Sequence, residues 1–157
     1  MKPLNAIRIS GTEVLPLVEG GKGVAITSGL ASGAWAATGG IGTFSGVNAD
    51  SYDDDGKIIR QIYHAKTRRA RHEELIEYAI SGGVTQAKVA HETRKGQGLL
   101  NVNVLWEMGA AERVLAGILE GAKGLVNGVT CGAGMPYRLA ELAAKYQVDY
   151  YPIISSA

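Results

Sequence analysis

Between residues 98 and 154, apolar runs of strand length alternate with helical stripes, and this alternation restricts the fold more than any other feature of the chain. "GLLNVNVLW" (98–106) is a strand-like run. "AAERVLAGILEGAKG" then sets Ala111, Val114, Leu115, Ile118, Leu119 and Ala122 on one helical stripe, with Gly121 and Gly124 near its end. "LVNGVT" (125–130) reads as the next strand, and Pro136 stands at a natural first position for the helix "PYRLAELAAKY". Leu139, Leu142, Ala143 and Tyr146 share a face of that helix, and "DYYPIIS" reads as a last strand. Strands this short, each followed by a helix, imply a parallel sheet with helical crossovers. Two topologies satisfy the pattern, a doubly wound open sheet and part of a (β/α)8 barrel. A complete barrel usually needs about 250 residues, and this chain has 157.

The first half carries the same rhythm less regularly. Residues 1–20 read as an entry segment, and "GVAITSG" (23–29) as a buried strand. "LASGAWAATGG" reads as a small-residue helix capped by Ser32 and stopped at Gly39-Gly40, and "IGTFSG" (41–46) as a strand. Residues 47–97 read as an insertion, a polar loop followed by two helices broken at Gly82-Gly83. Leu75, Ile76, Ala79 and Ile80 share a face of the first helix. The 22 glycines, against 4 prolines, fall at the ends of apolar runs, which marks tight turns and not a linker.

Charge and motif content exclude several functions. A net charge of +1 provides no global field toward nucleic acid or an anionic membrane. No run of apolar residues is long enough to span a bilayer, and the N-terminus lacks a signal-peptide core. One cysteine forms no internal disulfide, which fits a cytoplasmic location. "SYDDDGKIIRQI" has Ser51 and Ile62 where a calcium loop requires acids. His64, His72 and His91 have no metal-ligand spacing, so no metal is expected. Neither GxGxxG nor GxxxxGK[ST] occurs. Lys66, Arg68, Arg69 and Arg71 precede Glu73, Glu74 and Glu77, which reads as a solvated helix face and not a nucleic-acid site.

Ligands of parallel α/β proteins meet the carboxyl ends of the strands. Here those ends are "TSGLASG", "NVLW", "TCGAGMP" and "ISSA", all small, polar or glycine-containing. Together they suggest one cofactor or substrate surface. Asn103 alternates with Asn101 within an apolar strand and, if buried, needs a partner. Cys131 has no sequence-local base, so a wall of a pocket suits it better than a nucleophile. The glycine backbone around it can present amides to an oxygen-rich ligand.

With "GKGVAITSGLASGAWAATGGIGTFSG", "NVNVLWEMG", "GVTCGAGMPYRLAELAAKY" and "YYPIISSA", the chain resembles the nitronate monooxygenase family, formerly 2-nitropropane dioxygenases, related to flavin-dependent enoyl reductases. The resemblance runs from about residue 21 to the end, apart from 47–97. "TGGIG" (38–42) matches an "AGGLG"-like turn, "NVNV" a "GVNL"-like strand, and "GAGMP" an "FGLP"-like turn. It implies the N-terminal half of an FMN-binding TIM-type (β/α)8 barrel, in which Thr27, Ser28, Gly29, Asn103, Cys131, Gly132 and Gly134 contribute to the flavin site. The implied reaction is oxidation of alkyl nitronates with O2, or hydride transfer from a reduced nicotinamide through FMN. The family's catalytic histidine falls beyond Ala157, so the catalytic base is unassigned, and Thr27-Ser28-Gly29 replaces a "PMAG"-like sequence. The expected partners are a small-molecule substrate and either the missing C-terminal half or another chain, in an oligomer. The competing readings are a non-catalytic α/β association module and a complete small open-sheet domain.

Overall fold

The computed structural model describes residues 4–132, 134 and 136–154. The chain begins with a hairpin of β1 (Ile7–Ile9) and β2 (Thr12–Val14). Ser10 and Gly11 link the two strands with φ of 44° and 83°, the two left-handed residues that match the twist of a tight hairpin. Residues 17–19 then run beside the main sheet. Ile41 N–H donates to Leu17 O at 2.8 Å, and Glu19 N–H donates to Ile41 O at 2.9 Å.

The expected strand at 23–29 is not formed. Residues 23–26 are turns, Val24 and Ala25 have φ of 53° and 60°, and Val24 and Ile26 are exposed. The sheet-pairing segment lies earlier, at 17–19. Beyond the Gly20-Gly21 pair the chain folds across the sheet, returning through Ser45 N–H to Thr27 O at 2.9 Å.

Helix α1 (Gly29–Ala37) is capped by Ser28, whose side chain accepts from Ala31 N–H at 3.3 Å. Ser32, the expected cap, is fully buried one turn into the helix. Strand β3 (Ile41–Ser45) follows, then a long loop, then α2 (Arg68–Thr93), capped by Thr67. Helix α2 is one continuous element of 26 residues, and Gly82-Gly83 does not break it. A Cβ at Gly82 would overlap the Ala49 carbonyl oxygen, so close packing and not a helix end explains glycine there. Helix α2 packs on α1 and bridges β3 to β4 as a crossover helix.

The remainder is β4 (Leu99–Leu105), α3 (Ala111–Gly121), β5 (Gly128–Gly132), α4 (Tyr137–Lys145) and β6 (Asp149–Pro152). Pro136 occupies the cap position of α4, one residue outside the helix. Strand β5 begins three residues later than the apolar run suggests, because Val126 is buried below the sheet and Asn127 braces its edge. Asn127 Oδ1 accepts from Leu100 N–H at 3.0 Å and from the Arg94 guanidinium at 3.3 Å.

All four main strands are parallel, in the order β3-β4-β5-β6, which is also chain order. Alternation divides their side chains between two faces. Phe44, Leu100, Val102, Val104, Val129 and Cys131 join Ile76, Val114, Leu115, Ile118 and Leu139 in the core beneath the helices. On the other face, Ile41 and Leu99 pack against Val14 of the hairpin. Above them, toward the carboxyl ends, stand Thr43, Ser45, Asn101 and Asn103, all buried. No helix among the described residues is long and apolar enough to cross a membrane.

Candidate functional site at the carboxyl ends of the strands

The register aligns the polar side chains of the helix-free face. Thr43 lies opposite Asn101, Ser45 opposite Asn103, and Asn103 opposite Thr130. Thr43, Asn101 and Asn103 are 0%, 1% and 2% exposed. Even so, Thr43 Oγ1, Asn101 Nδ2 and Asn103 Oδ1 have no hydrogen-bond partner among the described residues. A buried polar atom without a partner costs about 1–3 kcal/mol. Three of them on adjacent strands form a row of hydroxyl, amide donor and amide acceptor that a polar ligand edge can satisfy. Ser45 differs: its hydroxyl accepts from Val47 N–H at 3.2 Å and from Ala25 N–H at 3.3 Å, and donates to Val47 O at 3.3 Å.

Two features of the N-terminal segment shape this face. The Glu19 carboxylate accepts from Thr43 N–H at 2.8 Å, replacing the ladder bond lost where the chain turns away at Gly20. Gly21 then lies directly on Asn103 and Thr43, so that a Cβ there would come within 2.5 Å of Asn103 Cβ. Glycine is the residue that lets the backbone approach so closely.

The residues expected from the sequence divide into distinct roles. Thr27 is buried, and its hydroxyl donates to Lys22 O and accepts from Lys22 N–H, both at 3.2 Å, closing the loop over the sheet. Ser28 is committed to capping α1, and Gly29 N–H donates to the buried Gln86 Oε1 at 2.6 Å. Asn103 faces the helix-free side. Gly132 ends β5 on the same side, where a Cβ would touch Ile153, and its carbonyl accepts from Trp106 N–H at 2.9 Å. Gly134, at φ 100°, is exposed beside Trp106 and Glu107. Ala133, Met135 and the end of "ISSA" lie outside the described residues.

Cys131 corrects the expectation of a pocket wall shared with Asn103. It pairs in register with Val104, so its side chain faces the helices. Burial pushes the thiol up to about 11, against a small opposing effect from the backbone of Trp106. That environment makes it an inert core thiol.

Glu19, Thr43 and Asn101 join the site without having been assigned to it from sequence. The acid before the glycine pair in "VEGG" and the two-residue spacing of the asparagines were the available signals. Among the described residues, no cluster of three or more His, Cys, Asp or Glu side chains is arranged to hold a metal. A cavity of about 470 Å3 opens at the opposite end of the sheet between Ser10, Lys123, Asn127 and Asp149. There Ser10 Oγ donates to Asp149 Oδ1 at 2.5 Å, and the amino ends of parallel strands serve stability more than chemistry. In comparison with known proteins, the chain matches no protein-family model and no curated protein.

Proposed function

We propose that this chain forms the N-terminal (β/α) part of an FMN-dependent oxidoreductase of the nitronate monooxygenase type and supplies one wall of the flavin site. The observation that carries this reading is the row of buried, unpartnered polar atoms, Thr43 Oγ1, Asn101 Nδ2 and Asn103 Oδ1, on the helix-free face. Asn103 offers an amide to a polar heterocycle edge, and glycine at position 21 keeps a side chain off Asn103 and Thr43. Ser28 and Gly29 support the site indirectly, by fixing the start of α1.

Strand order supports a barrel segment over a doubly wound sheet. A doubly wound sheet reverses direction at a switch point, whereas β3 to β6 advance in one direction. The outer edge of β6 is available to a further strand, which suits a complementary (β/α) segment as partner. When bound, FMN supplies the electron-transfer chemistry. Asn103 orients it, and the buried sheet face excludes water from beneath it.

The test is a fluorescence titration of the chain with FMN, alongside Asn103→Ala. The expected result is at least tenfold weaker binding with cooperative unfolding retained. Equal affinity in the two proteins refutes the assignment of Asn103. Turnover of a nitronate by the isolated chain refutes the division of the site between two segments.

A further inference from the structure

A second feature near the carboxyl side of the sheet is independent of the flavin reading. Tyr63, Arg68, Arg71, His72 and Leu75 line a cavity of about 290 Å3 at the start of α2. His72 also reaches the loop after β4, lying 3.1 Å from where a Cβ on Gly109 would sit. Arg68, Arg71 and His72 are spaced three and four residues apart, so they project from one helical face. The Arg71 guanidinium lies over the Tyr63 ring at 5.5 Å, which holds it at the cavity wall.

Neither Glu73 nor Glu74 forms an ion pair with Arg68 or Arg71. The Glu73 carboxylate is paired with Arg113 at 2.8 Å. The Glu74 carboxylate accepts from the backbone N–H groups of His64 and Ala65, at 3.1 and 3.0 Å. Arg68 and Arg71 have no ion pair among the described residues. The first turn of α2 contains no acid, although cations there oppose the helix dipole. Arg68 and Arg71 are exposed on the wall of this open cavity, and two uncompensated guanidinium groups on one helical face match the paired oxygens of a phosphate.

The geometry points to a binding site for a phosphate-bearing small molecule, with Arg68 and Arg71 as the anion ligands and His72 as a third donor. The probe is inorganic pyrophosphate, titrated calorimetrically into the wild-type chain, Arg68→Ala/Arg71→Ala, and a charge-matched control, Arg8→Ala/Lys88→Ala. All four side chains are exposed, so the fold is retained in each variant. The expected result is at least tenfold weaker binding in the first variant and less than a twofold change in the control. Absence of binding to wild type at millimolar pyrophosphate, or equal losses in both variants, overturns the site. Titrations with FMN and riboflavin then identify the source of the phosphate. Loss of FMN affinity alone in Arg68→Ala/Arg71→Ala assigns the site to the flavin's own phosphate. Unchanged affinity for both, with pyrophosphate binding lost, assigns it to a separate phosphorylated ligand.

Discussion

Replacing Thr43 with valine exchanges an unpartnered hydroxyl for a methyl group of nearly the same size at a fully buried position. In a core the usual expectation for a polar deletion is loss of stability, because a hydrogen bond goes with it. Here no bond is lost, and the exchange removes a desolvation cost of about 1–2 kcal/mol. For a chain of this length each kcal/mol is about 3 °C in Tm, so Thr43→Val should melt about 3–6 °C higher. Ser45→Ala is the matched contrast, two residues along the same face. Its hydroxyl is engaged by Val47 and Ala25, so its removal leaves Val47 N–H without that acceptor and should cost about 1–3 kcal/mol. Urea denaturation of both variants, with m-values compared to wild type, measures the two changes directly. Thr43→Val destabilised by 1 kcal/mol or more would refute the reasoning, since it would mean that the hydroxyl is satisfied in the folded chain. The same variant carries a functional signature: if a ligand uses this hydroxyl, Thr43→Val gains stability while losing ligand-induced stabilisation.

At Gly82 an added methyl meets the Ala49 carbonyl, whereas at Gly83 it meets a side chain, that of the buried Ile118, and not backbone. Gly82→Ala should therefore cost about 3 kcal/mol or more and Gly83→Ala distinctly less, as read from urea midpoints. Cys131 should resist thiol reagents in the folded protein and react on unfolding. Because its folded pKa lies above the unfolded value, its contribution to stability is intact below about pH 9 and is lost as pH rises toward about 11. Cys131→Ala should flatten that alkaline limb in a series of denaturation curves. Glu74→Ala removes the acceptor for two backbone N–H groups of the loop before α2. Trypsin cleavage at Arg60 and Lys66 should accelerate about tenfold, which corresponds to about 1.4 kcal/mol of local stability.

Elements with enough apolar residues in phase were legible in the sequence, and those held by tertiary contacts were not. Helices α3 and α4 announce themselves by stripes such as Val114, Leu115, Ile118 and Leu119. Strands β3 and β4 stand out as runs that the sheet buries almost completely. The run at 23–29 has the same composition but no strand to pair with, and it exposes Val24 and Ile26. Residues 17–19, less strand-like in isolation, take the edge because β3 offers them its free backbone groups. The three-residue strands of the hairpin are too short to give a periodicity. Within the site, Asn103 was readable from its polar character inside an apolar strand. Thr43 was not, because its significance depends on lying opposite Asn101 and beneath Gly21. Cys131 was misplaced by parity: it shares the phase of Val129 and Val104, not that of Asn103.

The agreement between strand order and chain order has a consequence for how this molecule comes into being. Each strand pairs with the one synthesised before it, and each crossover helix packs on the helix that preceded it. No strand has to wait for a distant later segment before it finds its neighbour. As the chain leaves the ribosome, the sheet can grow by one unit at a time from the amino-terminal edge, with the newest strand always at the open margin. That margin is also where unfinished molecules would meet one another, so the vulnerable surface during synthesis moves along the chain with each added strand.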